Sequence, residues 1–90
     1  MSRVKVKLFN TPNVIKDEKK IKFPFTKAEA LFYYLIVNKE ATRDELVALF
    51  WGDSEEKIAK KNLRNAMYKI RKAFDMDIII SPQKSTVILN

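Results

Sequence analysis

Hydrophobic positions along the chain change their period several times, and the changes mark out the elements. In Arg3-Val4-Lys5-Val6-Lys7-Leu8 apolar and cationic residues alternate strictly. Val4, Val6 and Leu8 share one face, which predicts a half-buried strand; its lysines either keep an edge soluble or meet a polyanion. Thr11-Pro12-Asn13 reads as a turn, Val14 to Lys16 as a second strand, Asp17 to Lys20 as a polar reversal and Ile21 to Phe23 as a third strand. A small antiparallel sheet of this kind is marginal in water unless its apolar face is covered.

The period then lengthens. Thr26-Lys27-Ala28-Glu29 has the form of a capping box, and the run that follows is apolar at nearly every position to Val37. This predicts a helix to Val37 or Asn38, enclosed on most sides, with Asn38 to Ala41 as a connection. Thr42-Arg43-Asp44-Glu45 is a second capping box. It opens a helix from Arg43 to Phe50 or Trp51 with Leu46, Leu49 and Phe50 as its inner stripe. Gly52, the one glycine in the chain, falls where a left-handed C-terminal cap favours glycine. Asp53 and Glu56 form a looser box before the longest helix, which ends at Phe74. Asp75 to Asp77 stop it. Ile78 to Ile80 and Thr86 to Leu89 read as a hairpin turning over Ser81 to Ser85.

The long helix is the most strongly two-sided stretch. Ala59, Leu63, Ala66, Met67, Ile70, Ala73 and Phe74 fall at three- and four-residue spacing on one stripe. At about 100° per residue, Lys57, Lys61, Arg64, Asn65, Tyr68 and Lys72 point the other way. From Ser54 to Phe74 there are seven Lys or Arg and two Glu, both Glu at the start, where the positive helix end favours them. Two capped helices joined by a tight turn, the second basic, and then a hairpin, form a helix-turn-helix with a wing.

Composition narrows the functional classes. Ninety residues make one domain, and a 47% hydrophobic share supports a packed core. Eighteen Lys and Arg against eleven Asp and Glu leave a net charge of +7, which favours polyanionic partners. The excess is confined to residues 1–25 and to the long helix. The chain has no Cys and no His, so disulfides, thiolate chemistry and the commonest general base and metal ligand are excluded. No glycine-rich phosphate loop is present. Nothing in the sequence asks for a cofactor or a metal, and an enzyme is the weakest reading. No run approaches the ~18 apolar residues of a membrane helix and no signal peptide is visible, so a cytoplasmic protein without a membrane partner is expected.

Major-groove entry suits a helix, and Arg and Asn make two-pronged bonds to guanine and adenine edges. Arg64 and Asn65 are therefore the expected base readers. The alternatives are an ion pair with Glu56 or another acid for Arg64, and plain solvation for Asn65. Lys57 and Lys61 would hold phosphates, which position the protein without choosing sequence, and Lys72 is a weaker contact of the same kind. Tyr68 either bonds a phosphate or packs on the hairpin. Arg43, at a helix start, would meet a phosphate with help from free backbone N–H groups. Lys84, at the hairpin tip, either touches DNA or is solvated. Trp51 reads as a core residue between helices.

Three segments together resemble the OmpR/PhoB-type winged helix, and within it the SARP type of bacterial transcriptional activator. They are Thr26-Lys27-Ala28-Glu29-Ala30-Leu31-Phe32-Tyr33-Tyr34-Leu35, the segment Arg43 to Asp53 with Phe50-Trp51-Gly52-Asp53, and Asn62-Leu63-Arg64-Asn65-Ala66-Met67-Tyr68-Lys69-Ile70-Arg71-Lys72-Ala73-Phe74. The resemblance covers nearly the whole chain. Gly52 stands where the family usually has Pro, and Thr86-Val87 where Gly-Tyr is common. The resemblance implies an α+β winged helix-turn-helix with an N-terminal antiparallel sheet, three helices and a C-terminal β-hairpin wing. It implies double-stranded DNA as partner, with the third helix in the major groove and the wing on the flanking backbone or minor groove. It also implies RNA polymerase as a second partner through the loop Trp51 to Ser54, and a further helical domain after residues 1–90. The competing reading is a winged helix that docks proteins and binds no DNA.

Overall fold

The computed structural model describes residues 4–7, 13–83 and 85–89. Their order is β1 (Val4–Lys7), β2 (Asn13–Lys16), β3 (Lys19–Lys20), α1 (Thr26–Asn38), β4 (Glu40–Thr42), α2 (Arg43–Trp51), α3 (Glu56–Phe74), β5 (Ile79–Gln83) and β6 (Thr86–Leu89). Two antiparallel sheets, ordered β1-β2-β3 and β4-β6-β5, pack with the three helices around one hydrophobic core. This is the α+β winged-helix arrangement expected from the sequence, with one additional strand. Arg3, Leu8, Thr11 and Pro12, included in the expected first strand and turn, lie outside the described residues.

The N-terminal sheet follows its alternation. Val4 pairs with Lys16 and Val6 with Val14; Val14 is fully buried, and Val4 and Val6 pack against the core while Lys5 is exposed. The third strand, expected at Ile21 to Phe23, is instead Lys19–Lys20. Asp17 and Glu18 both take positive φ, 51° and 69°, so a two-residue turn closes the hairpin at once and pairing resumes at Lys19. Ile21 keeps one bond, N–H to the Val14 carbonyl at 2.7 Å. The chain then leaves the sheet so that Phe23 can join Phe32 and Phe74.

Helix starts were only partly local. Thr42 caps α2 with a reciprocal box: its side chain accepts from Glu45 N–H at 3.0 Å, and the Glu45 carboxylate accepts from Thr42 N–H at 3.4 Å. The second Glu45 oxygen accepts from the Tyr34 hydroxyl, tying α2 to α1. That bond is the largest influence raising the Tyr34 pKa, ahead of burial and of the Glu45 charge. The expected box at Thr26 does not form. Thr26 is already helical, extended Phe25 holds the cap position with no side-chain bond, and Glu29 accepts from Tyr33 instead, at 3.4 Å. Nor does a box form at Asp53. Ser54 N–H bonds the Trp51 carbonyl at 3.1 Å, so Asp53 and Ser54 belong to the turn and α3 begins at Glu56.

Gly52 corrects another expectation. Its φ is −59° and ψ −25°, right-handed rather than left-handed. Its role is proximity: a Cβ there would lie 2.8 Å from the Ala48 carbonyl oxygen. The far end of α3 does use a left-handed cap, on Asp75 (φ 54°). Asp75 N–H bonds the Lys72 carbonyl at 3.2 Å and Met76 N–H the Arg71 carbonyl at 3.3 Å, a Schellman arrangement. Lys16 Nζ, from β2, donates to the Phe74 carbonyl at the same negative helix end.

Residues 38–41 were expected only to connect; Glu40–Thr42 forms β4, paired with β6. The closing hairpin is longer than expected, since β5 runs on through Ser81 and Pro82 to Gln83. Pro82 is tolerated because β5 is an edge strand, and the register slips by one residue between Ile80 and Gln83, a bulge.

The core is built by α1 and α3. Ala28, Leu31, Phe32 and Leu35 meet Ala59, Leu63, Ala66, Met67, Ile70 and Phe74, all essentially fully buried. The expectation that α1 is wrapped on most sides is only half met: Val37 is 67% exposed and the tyrosines are half-buried. In α2, Leu46 and Trp51 are buried but Leu49 is 55% exposed, so Leu49 leaves the inner stripe. Phe74 stacks on Phe32 with ring centroids 5.0 Å apart. Phe74→Ala is expected to lower unfolding free energy by about 3–5 kcal/mol, and Leu49→Ala by well under ~1 kcal/mol. Urea unfolding followed by circular dichroism checks the pair; equal losses would contradict this core assignment.

Candidate nucleic-acid interface

α3 is rotated so that six of its seven stripe residues are buried, with Ala73 half-buried at the edge of the stripe, and this fixes what it presents. Lys57, Lys61, Arg64, Asn65, Tyr68 and Lys72 are all exposed. At 100° per residue they occupy a sector of roughly 100°, directly opposite the buried residues. No acid lies on α3 beyond Glu56 in the first turn. Among the described residues no polar or charged side chain is buried, so these cations stand in water.

Alternatives for single residues resolve as follows. The partner of Glu56 is Lys60, at 3.0 Å, not Arg64. The Glu56 hydrogen bond is the main cause that raises the Lys60 pKa, with smaller contributions from the Glu56 and Asp44 charges against a lowering by burial; Lys60 therefore stays cationic. Tyr68 is 57% exposed rather than packed under the hairpin, and Lys72 Nζ lies 5.9 Å from its ring centroid. Trp51 is 6% exposed, a core residue as expected.

Arg43 is half-buried, and its surroundings differ from those expected. Its backbone N–H donates to the Ser85 carbonyl at 2.8 Å, and Glu45 N–H is taken by the Thr42 cap. Two of the three first-turn N–H groups of α2 are thus used internally, so free backbone donors are not what distinguishes this position. Its side chain instead lines a cleft of about 690 Å³ with Asp44, Lys60, Leu63, Arg64, Ser81 and Ser85. The cleft brings together the start of α2, the first half of α3 and the hairpin. Lys84 lies outside the described residues.

Sequence reasoning missed two residues that shape this face. Arg71 Nε donates to the Ile79 carbonyl at 2.7 Å, fastening the hairpin to α3. Lys60 joins Arg43 and Arg64 at the cleft. Arg71 carried no signal, because its partner is a backbone carbonyl placed by the fold. Lys60 could have been found from its spacing to Arg64 at i,i+4.

Among the described residues no helix is long and apolar enough to cross a membrane, and no group of three His, Cys, Asp or Glu could hold a metal ion. Comparison of the chain with family models, with curated proteins and with solved structures gave no match, so any functional reading rests on this geometry and on the sequence.

Proposed function

We propose that the chain is the double-stranded DNA-binding domain of a cytoplasmic bacterial transcriptional regulator of the OmpR/PhoB, SARP-like type. The observation that carries this reading is the acid-free cationic sector of α3, held outward by six buried residues on the opposite stripe and bordered by a hairpin. A helix of ~10–12 Å diameter with side chains matches a major groove ~12 Å wide. In that pose Arg64 and Asn65 read base edges, Lys57, Lys61 and Lys72 hold phosphates, and Tyr68 donates its hydroxyl to one. Arg43 approaches the backbone from the cleft beside the hairpin. None of these groups has to leave a buried site to reach DNA.

A second reading, a protein-docking winged helix, has one feature in its favour. Leu49 and Ile58, on either side of the α2–α3 turn, are 55% and 48% exposed. The same turn, Trp51 to Ser54, is where the family resemblance suggests contact with RNA polymerase, so the two readings are compatible in a regulator and exclusive only if DNA is not bound.

Titration against duplex DNA at a series of salt concentrations separates them. With about four to six phosphate contacts, the log–log slope should be roughly −4 to −5; no affinity for any duplex at low salt would leave the docking reading. On sequences enriched from random duplex, Arg64→Ala is expected to relax preference at one position, costing about 1–3 kcal/mol there. Lys61→Ala should weaken all sequences alike and lower the slope by about one unit. Indistinguishable effects of the two substitutions would remove Arg64 as a base reader.

A further inference from the structure

The flank of α3 away from the hairpin carries one cation, Lys69. At 100° per residue, Lys69 projects about 160° from Arg71, the residue that fastens the hairpin. Lys69 Nζ lies 5.8 Å from the Phe25 ring centroid, at the start of α1. Phe25 also lines a cleft of about 620 Å³ with Lys20, Lys22, Thr26 and Glu29. Lys20, Lys22 and Lys69 are all exposed. Lys20 and Lys22 share that cleft with one carboxylate, Glu29, which accepts from Tyr33; Asp17 and Glu18 sit at the adjoining hairpin turn.

We infer that this ledge, Lys20 and Lys22 with Lys69, is a second phosphate-holding surface. It meets the DNA strand on the side of the groove opposite the hairpin. The inference rests on the DNA-binding reading above. A helix seated in a major groove has a sugar–phosphate strand along each side. The hairpin and the Arg43 cleft serve one strand. Lys69 extends the cationic surface of α3 around to Lys22 and the start of α1, where the other strand runs. Lysine suits this task because it supplies charge without geometric selection, so the ledge adds affinity and fixes the roll of α3 without reading bases. Lys20 and Lys22 of the basic N-terminal segment are then part of the interface.

The test uses the full 90-residue chain and a random-sequence duplex of about two helical turns, titrated across salt concentrations. The double variant Lys22→Gln/Lys69→Gln is expected to flatten the log–log slope by about one to two units. Lys39→Gln, at the other end of α1, controls for net charge and should leave the slope at the wild-type value. If the wild type binds and the double variant has the wild-type slope, or only the change seen with Lys39→Gln, the ledge is refuted while the α3 reading stands. If the wild type has no affinity for the duplex, both fall together. Should the double variant melt early, each single substitution is expected to remove about half the effect, and an unchanged slope in both refutes the ledge equally well.

Discussion

The stacking of Phe74 on Phe32, with Phe23 against both, sets the rotation of α3 and therefore everything α3 displays. A helix that buries six residues on one stripe has no freedom to roll: a turn of one residue position would drive a lysine into the core and expose Leu63 or Ile70. Removing an unpaired ammonium from water is far more costly than losing one aliphatic contact. The core thus specifies the cationic face as firmly as it specifies its own packing. Lys16, reaching from β2 to the Phe74 carbonyl, and the Schellman cap at Asp75 hold the same end of the helix against the sheet.

That arrangement separates stability from surface chemistry. The apolar interior is made by α1, α3, Leu46 and Trp51 of α2, and the inward residues of both sheets, and no described charge is buried. The hairpin is attached through backbone carbonyls: the Arg71 side chain reaches Ile79, and Arg43 N–H reaches the Ser85 carbonyl at 2.8 Å. Substitutions on the outer sector of α3 therefore change what the surface attracts without opening a cavity. On the proposed reading, sequence preference can be altered at Arg64 and Asn65 with little penalty to the fold.

Legibility in the sequence followed the range of the interactions. The α3 stripe was readable because its signal repeats over five turns, and the Thr42–Glu45 box because both partners lie within one turn. Thr26 and Glu29 have the same spacing, yet the fold starts α1 one residue earlier, where the ring of Phe25 is held by Lys69 and the neighbouring cleft. The position of Gly52 just after α2 suggests a left-handed cap; the closeness of the Ala48 carbonyl, which leaves no room for a Cβ, is set by the fold of the turn. β4 has three residues and draws its hydrogen bonds from β6, more than forty positions away in sequence, so no local pattern announces it. The proposed ledge leaves no local pattern for the same reason: Lys22 and Lys69 both meet Phe25 only when the start of α1 packs on α3. Of the expected site residues, the α3 set is exposed together, Arg43 lines the adjoining cleft without the free backbone donors expected of it, and Lys84 falls outside the described residues.

Lysine acetylation followed by mass spectrometry, with and without duplex DNA, tests most directly whether the core-defined face of α3 is the one that meets DNA. Lys57, Lys61 and Lys72 should react quickly in the free protein and become protected when duplex is added, while Lys39 stays reactive throughout. Slow reaction of Lys57, Lys61 and Lys72 in the free protein, or their continued reactivity in a duplex-bound sample, would contradict it.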